Sequence, residues 1–128
     1  MTPEGQILKA VLDYLAARHI LAFRMNTGSL KDSRGIPVRF GTPGMADVLA
    51  FPQVNGYPDI CWIECKAAKG KQSPLQRSFQ EQVEKEGHRY VVVRSIEDLA
   101  AALCHRTFQQ LARHMECKHG EILKGQTQ

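Results

Sequence analysis

The sequence lacks the features that would place it among membrane, secreted or repetitive proteins. No apolar run approaches the ~20 residues that a membrane-spanning helix needs. The first residues do not form a basic segment followed by an apolar one, so we expect no signal peptide. Internal repeats and low-complexity linkers are also absent. We therefore expect a globular protein, with a cytoplasmic location as the default.

The chain lacks a cysteine spacing that matches a metal or redox motif. The chain has four cysteines and no CxxC. Cys61 and Cys65 fall in one predicted strand, too far apart along it for an easy disulfide, and we expect all four to be reduced thiols. The C-terminal cluster matches none of the usual zinc spacings, which favours an ordinary tail over the alternative of a zinc site. Its members are Cys104, His105, His114, Cys117 and His119.

Length and charge limit the organisation of the chain. At 128 residues it fits one domain, which we place at 1–104, followed by a helical extension and tail at 105–128. The formal net charge is +4 and the pI is about 9.0. This excess permits a polyanionic partner but does not require one.

Hydrophobic spacing predicts an α/β protein with the order α-β-β-β-β-α-β-α. The first helix, at 3–18, has apolar residues at helical spacing from Ile7 to Leu15. We predict that the second helix, at 73–87, turns Leu75, Phe79, Gln82 and Val83 inward and ends at Gly87. The last helix spans 95–104 and continues into 106–117. Strands are predicted at 20–26, 36–40, 46–51, 59–66 and 90–93, and polar loops at 27–35 and 66–72. The natural arrangement is a mixed central sheet flanked by helices.

A predicted hairpin brings charged residues together. Asn55-Gly56 is a strong hairpin turn sequence, and a symmetric turn there pairs residues whose numbers add to 111. Asp47 then lies opposite Glu64 on the same face, with Cβ atoms about 5 Å apart. Lys66 follows Glu64 by two residues and projects to that face.

Two adjacent carboxylates repel each other unless something neutralises them, and Mg²⁺ prefers such hard oxygen ligands. A bound ion activates water and stabilises charge on phosphate, and a lysine can assist. The literal Pro58-Asp59 pair is not the expected partner, because Asp59 is an odd number of residues from Glu64 and faces the other way. The alternative is a structural ion pair between Glu64 and Lys66.

Other polar residues have two interpretations each. Gln76 completes a capping box with Ser73, and it could equally face the carboxylates. Glu4 suits a first helical turn, and its spacing does not connect it to the hairpin. A further set of basic residues could neutralise phosphates or could simply be solvated. These are Arg24, Lys31, Arg34, Arg39, Lys69 and Lys71.

A series of sequence blocks resembles the VRR-NUC (virus-type replication-repair nuclease) branch of the PD-(D/E)XK nucleases, especially its small stand-alone phage and prophage members. The blocks cover residues 4 to about 100 in the family's order. One departure is Ala46, where the superfamily name expects proline before Asp47. The blocks are Glu4-Gly-Gln-Ile7, Phe23-Arg-Met-Asn-Thr-Gly28, Arg39-Phe-Gly-Thr-Pro-Gly-Met-Ala-Asp47, Ile63-Glu-Cys-Lys66, Gly70-Lys-Gln-Ser-Pro-Leu-Gln76 and Val91-Val-Val-Arg94.

The resemblance implies a restriction-endonuclease-like core with Mg²⁺ or Mn²⁺ as cofactor. It implies that Asp47, Glu64 and Glu4 are metal ligands, that Lys66 is the catalytic lysine and that Gln76 is an active-site residue. Similar small members act as homodimers and resemble Holliday-junction resolvases, in a bacterial or phage-infected cell. We therefore expect a metal-dependent endonuclease acting on branched DNA such as four-way junctions. The alternatives are a linear-duplex or single-strand nuclease of the same fold, and a non-catalytic nucleic-acid-binding module.

Overall fold

The computed structural model describes residues 1–25, 28–54 and 56–104, with the backbone alone at 28–30, 39–40 and 54. The predicted tail at 105–128 lies outside these ranges. The described helices are α1 (Pro3–Ala17), α2 (Pro74–Lys85) and α3 (Ile96–Cys104). The strands are β1 (Leu21–Arg24), β2 (Gly28–Lys31), β3 (Pro37–Phe40), β4 (Val48–Phe51), β5 (Gln53–Val54), β6 (Tyr57–Pro58), β7 (Cys61–Cys65) and β8 (Arg89–Val93).

The central sheet has four strands in the order β1-β4-β7-β8. The β7–β8 pair is parallel, and the other two pairs are antiparallel. The predicted mixed α/β class is therefore confirmed, with a four-stranded mixed sheet and three helices. Within the described ranges, no helix combines the length and the apolarity needed to cross a membrane.

Helices α1 and α3 cover one face of the sheet. Leu15 of α1 and Leu99 of α3 are fully buried against Val48, Ile63 and Val93. Full burial of such a side chain contributes about 1.5–3 kcal/mol, so this layer is the main apolar core. Thr2 caps α1 as predicted, with its hydroxyl accepting from the backbone nitrogen of Gly5 at 3.0 Å.

Helix α2 covers β7 and β8 on the other face. The Phe79 ring packs edge-to-face on Trp62, with ring centroids 5.0 Å apart, and Val83 is buried. The prediction that Leu75 and Gln82 also face inward is wrong, because both are exposed. On a helix with 3.6 residues per turn, position 76 shares the face of 79 and 83. The polar residue Gln76 therefore takes the inward-facing position that the hydrophobic pattern predicted for Leu75.

The predicted hairpin register is confirmed. The Cα partners of β4 and β7, such as Val48 and Ile63, have numbers that add to 111. The two-residue strands β5 and β6 keep this register, and the backbone nitrogen of Asp59 donates to the carbonyl oxygen of Pro52 at 2.9 Å between them. The strand predicted at 59–66 is shorter in the structure, where β7 begins at Cys61 and ends at Cys65. Asn55 of the predicted turn lies outside the described residues.

Strand β2 was missed in the sequence, as were the two-residue strands β5 and β6. The segment predicted as a loop at 27–35 contains β2, which pairs with β3 in a separate two-stranded sheet. Gly28-Ser-Leu-Lys31 contains no β-branched residue, so its strand propensity is weak and its pairing with Pro37–Phe40 defines it. Asp32 closes the turn through hydrogen bonds from the backbone nitrogens of Arg34 and Ile36.

The described cysteines are free thiols, as predicted. Cys61 and Cys65 are buried on the α1 side of β7, and Cys104 is exposed at the end of α3. Burial raises the pKa of Cys61 and of Cys65 to about 12, so both are neutral thiols. Cys117 lies outside the described residues.

Gly44 holds the turn before Asp47 against the start of α2. Its φ is +80°, and an added Cβ would lie 2.9 Å from the backbone nitrogen of Gln76 and closer still to the carbonyl group of Leu75.

We expect Gly44→Ala to lower the free energy of unfolding by more than about 2 kcal/mol, because the strain of a positive φ and the backbone clash add. Gly35→Ala is the control, since Gly35 has φ +78° and open space around it. Urea unfolding of both variants measures the difference, and equal losses would contradict this packing.

Candidate active site

The site lies where β4 and β7 meet, one residue beyond their last pair. The backbone oxygen of Asp47 accepts from the backbone nitrogen of Met25 at 2.7 Å, which anchors Asp47 beside the end of β1. Its carboxylate reaches across to β7, where Oδ2 accepts from the backbone nitrogen of Cys65 at 2.8 Å. Because Val48 pairs with Ile63, the next position in the same register sets Asp47 opposite Glu64, as predicted.

Glu64 is almost completely enclosed. Its exposed fraction is 2%, and its Oε1 accepts from Nε2 of Gln76 at 3.0 Å. Its other oxygen, Oε2, is buried and has no hydrogen-bond partner among the described residues. Burial, reinforced by the nearby Asp47 carboxylate, raises the pKa of Glu64 to about 8, and Lys66 opposes this shift.

Lys66 lies between two carboxylates. Its Nζ is 3.5 Å from Oε1 of Glu4 and 3.9 Å from Oε1 of Glu64, and its side chain is 11% exposed. Its backbone nitrogen donates to the carbonyl oxygen of Val93 at 3.0 Å, which extends the β7–β8 pairing beyond Cys65. Lys66 is therefore held both through its backbone nitrogen and through its ammonium group.

Spacing alone did not connect Glu4 to the hairpin, but the fold does. The first turn of α1 places its half-exposed carboxylate beside Lys66. Within the described ranges no three His, Cys, Asp or Glu side chains are gathered closely enough to hold an ion. Glu4 thus contacts Lys66 and is not grouped with Asp47 and Glu64. Local spacing does not predict this contact, because it depends on how α1 packs on the sheet; only the family resemblance implied that Glu4 belongs to the site.

Gln76 has both of the roles that the sequence left open. Its Oε1 accepts from the backbone nitrogen of Ser73 at 2.9 Å, and the Ser73 hydroxyl accepts from the backbone nitrogen of Gln76 at 3.2 Å. This capping box leaves the amide nitrogen free to donate to Glu64. The start of α2 is therefore linked directly to the buried carboxylate.

Tyr90 and Gln72 also belong to the site, although Tyr90 was interpreted only as part of a buried strand. Nε2 of Gln72 lies 3.2 Å from the Tyr90 hydroxyl and 2.9 Å from Oε1 of Gln80. Burial raises the pKa of Tyr90 to about 12, with smaller contributions from the charges of Glu64 and Asp47. The phenol therefore lies within electrostatic reach of both carboxylates. Tyr90 is in register with Trp62, two residues before Glu64, which is a relation the sequence order alone does not give.

The basic residues divide into groups. Lys69 and Lys71 are exposed on the loop after Lys66, and Arg24 is exposed at the end of β1 that lies beside Asp47. Lys31 and Arg34 belong to the separate β2–β3 hairpin, where Arg34 pairs with Asp32 at 3.1 Å. The side chain of Arg39 lies outside the described part of the chain.

Asp59 is not part of the site, as predicted. Its Oδ2 is 3.2 Å from Nη1 of Arg89, and both side chains are largely buried at the opposite end of β7 from Glu64. A buried carboxylate paired in this way is not open to a ligand.

The carboxylates fit a divalent cation. Asp47 and Glu64 offer hard oxygen ligands at one point, and the buried Oε2 of Glu64 has no hydrogen-bond partner in the described part of the chain. A cation there would favour the ionised form of Glu64 and so oppose the burial and the neighbouring Asp47 charge that raise its pKa. Two protein carboxylates plus water and phosphate are a common ligand set for Mg²⁺, so a third acidic side chain is not required.

Neither models of known protein families nor the curated proteins include a match to this chain. The interpretation of the site therefore rests on its residues and their geometry.

The raised pKa of Glu64 has a consequence for stability when no divalent cation is present. The folded protein holds this proton more tightly than the unfolded chain, so between pH of about 4.5 and 8 the folded state binds more protons. The free energy of unfolding contributed by Glu64 therefore falls as pH rises through that window. We expect Glu64→Gln, in chelator, to gain at least about 1 kcal/mol over wild type between pH 5 and pH 8.

Urea unfolding at both pH values measures this difference. Glu81→Gln, at an exposed position of α2, controls for the substitution itself. Excess Mg²⁺ is expected to reduce the advantage of Glu64→Gln at pH 8, because a bound cation stabilises the ionised wild type. A difference between wild type and Glu64→Gln that does not change with pH would contradict the buried, proton-binding state of Glu64.

Proposed function

We propose that this chain is a metal-dependent DNA endonuclease of the PD-(D/E)XK class that hydrolyses phosphodiester bonds. The observation that carries the proposal is the pair of half-buried Asp47 and buried Glu64. Glu64 has one oxygen without a hydrogen-bond partner among the described residues, and the ammonium of Lys66 lies within 4 Å of its other oxygen. A purely structural ion pair would need one carboxylate for one ammonium. Here Lys66 faces Glu4 and Glu64 while Asp47 adds further negative charge, so the site has an excess of acid.

In this proposal Asp47 and Glu64 would hold Mg²⁺ or Mn²⁺. The bound ion would supply Lewis-acid stabilisation of phosphate and would lower the pKa of a water ligand. The chain's own residues do the positioning: Gln76 orients Glu64, and the backbone nitrogen of Cys65 orients Asp47.

In this proposal Lys66 would act on the reacting phosphate or on its attacking water. Its ammonium is restrained by Glu4 on one side and Glu64 on the other, so it approaches the site in a limited set of positions. A preorganised cation beside developing negative charge stabilises the transition state without reorganisation. We assign Glu4 to holding Lys66, and its contribution to a metal site, which the family resemblance implies, is a further proposal.

Branched DNA is the proposed substrate. Lys69 and Lys71 follow the catalytic strand and Arg24 flanks Asp47, so cations are exposed on both sides of the carboxylates. Such residues would neutralise phosphates of the bound strand. A four-way junction has two nearly symmetric scissile phosphates, and a two-fold homodimer would present one site to each. The resemblance to the stand-alone VRR-NUC type supports this choice of substrate and assembly.

The test is cleavage of a labelled four-way junction and a matched linear duplex. We expect wild type to make paired nicks in the junction with Mg²⁺ and none with chelator. Lys66→Ala is expected to lower the rate at least about 100-fold, the usual effect of losing a preorganised electrostatic group. Lys9→Ala is the matched control, because Lys9 is an exposed lysine of α1 that pairs with Asp13.

Each possible result supports a different conclusion about the function. Cleavage of the linear duplex at the same rate would retain the nuclease and reject its preference for branches. Tight, metal-independent DNA binding by wild type and Glu64→Ala, with no cutting by either, would reject the enzyme in favour of a binding module. Equal rates for Lys66→Ala and Lys9→Ala would reject the assigned role of Lys66.

A further inference from the structure

The chain makes a tight turn immediately after Lys66. The backbone nitrogen of Gly70 donates to the carbonyl oxygen of Ala67 at 3.0 Å, which closes the turn. Gly70 lies near the lysine, since a Cβ added there would come into van der Waals contact with Cδ of Lys66 at 3.5 Å and with backbone atoms of Ala67 at 3.4 Å. The turn therefore passes beside the aliphatic part of the Lys66 side chain, whose ammonium faces Glu4 and Glu64.

The side chain of Arg94 binds backbone oxygens of this turn. Its Nη1 donates to the carbonyl oxygen of Ala67 at 2.7 Å and to that of Gly70 at 2.8 Å, so both ends of the turn are bound by one guanidinium. Hydrogen bonds from a charged donor are stronger than those between neutral groups. The backbone nitrogen of Arg94 donates to Oδ2 of Asp98 at 2.9 Å, which fixes Arg94 to the first turn of α3.

Arg94 takes over where strand pairing stops. The last main-chain link between β7 and β8 runs from the nitrogen of Lys66 to the oxygen of Val93, at 3.0 Å. Arg94 is the next residue after Val93, and its side chain connects to the backbone that follows Lys66. Beyond the ends of β7 and β8, the guanidinium of Arg94 therefore links the two chain segments by binding the carbonyl oxygens of Ala67 and Gly70.

We propose that Arg94 is a positioning residue for Lys66, acting by clamping the turn Ala67–Gly70 against the lysine side chain. This inference rests on the proposed function, in which Lys66 assists phosphodiester hydrolysis. Small displacements of a reacting group lower rates strongly, so loss of the clamp acts on turnover more than on DNA affinity. An exposed arginine near a nuclease site could instead contact a phosphate, and such a contact would contribute to affinity and to its salt dependence.

Three variants separate these roles. Arg94→Ala removes the clamp, and Arg94→Lys keeps the charge but offers a compact donor without the planar fork. Arg77→Ala is the control, because it removes one exposed arginine from α2. For each variant, kcat, KM and the slope of DNA affinity against salt are measured. Circular dichroism confirms that each variant is folded.

A second readout does not need activity. Metal-free protein is treated briefly with acetic anhydride, and acetylation of Lys66 is quantified by mass spectrometry against Lys9. Lys66 is 11% exposed and Lys9 is 65% exposed, so a loosened turn makes Lys66 more reactive while Lys9 stays the same.

We expect Arg94→Ala to lower kcat about tenfold or more relative to Arg77→Ala, with KM within about twofold of wild type. Lys66 acetylation is expected to rise severalfold in Arg94→Ala, and Arg94→Lys is expected to be intermediate in both measurements. The salt slope is expected to match that of Arg77→Ala.

Unchanged acetylation of Lys66 in Arg94→Ala would overturn the clamp. Increased acetylation with the kcat of Arg77→Ala would overturn the positioning role. A raised KM with a salt slope smaller by about one, and an unchanged kcat, would assign Arg94 to phosphate contact instead. If wild type cuts no DNA, the proposed function fails, and acetylation of Lys66 still decides whether the clamp exists.

Discussion

The structure depends on one unfavourable interaction, the approach of two carboxylates at the end of the β4–β7 pair. Asp47 is half-buried beside the almost fully enclosed Glu64, and burial, reinforced by the charge of Asp47, raises the pKa of Glu64 to about 8. The neighbouring groups stabilise the two carboxylates: Gln76 donates to Glu64, and the backbone nitrogen of Cys65 donates to Asp47. Among the described residues, one buried oxygen of Glu64 still has no hydrogen-bond partner. A fold retains such a cost where the charge has a ligand to bind, and a divalent cation is the ligand that this arrangement fits.

The carboxylate pair could be predicted because it follows from local rules. The sequence Asn55-Gly56 predicts a two-residue turn and with it the register, and the register of an antiparallel pair determines which residues oppose each other. The structure keeps the predicted register from the β5–β6 pair to Val48 and Ile63, across the irregular residues between the strands. The capping box that begins α2 was predictable for the same reason, because its residues are three apart in the chain.

Features that depend on packing between distant segments could not be predicted in this way. Glu4 reaches Lys66 only because α1 crosses the sheet at that end, and Tyr90 joins the site through the parallel pairing of β8 with β7. The hydrophobic pattern predicted that Leu75 faces the core. In the structure, helix α2 is oriented so that Gln76 faces inward and Leu75 is 59% exposed. The clamp by Arg94 uses backbone oxygens as acceptors, and every residue type has one.

The most direct test of this account is the binding of Mn²⁺, measured by the loss of its free-ion paramagnetic resonance signal as protein is added. The account predicts that wild type binds the ion at neutral pH and that Asp47→Asn greatly weakens binding. Asp13→Asn is the control, since Asp13 is an exposed aspartate of α1 that pairs with Lys9. Mn²⁺ binding by Asp47→Asn as tight as by wild type, or no binding by wild type, would contradict the claim that Asp47 and Glu64 form a metal site.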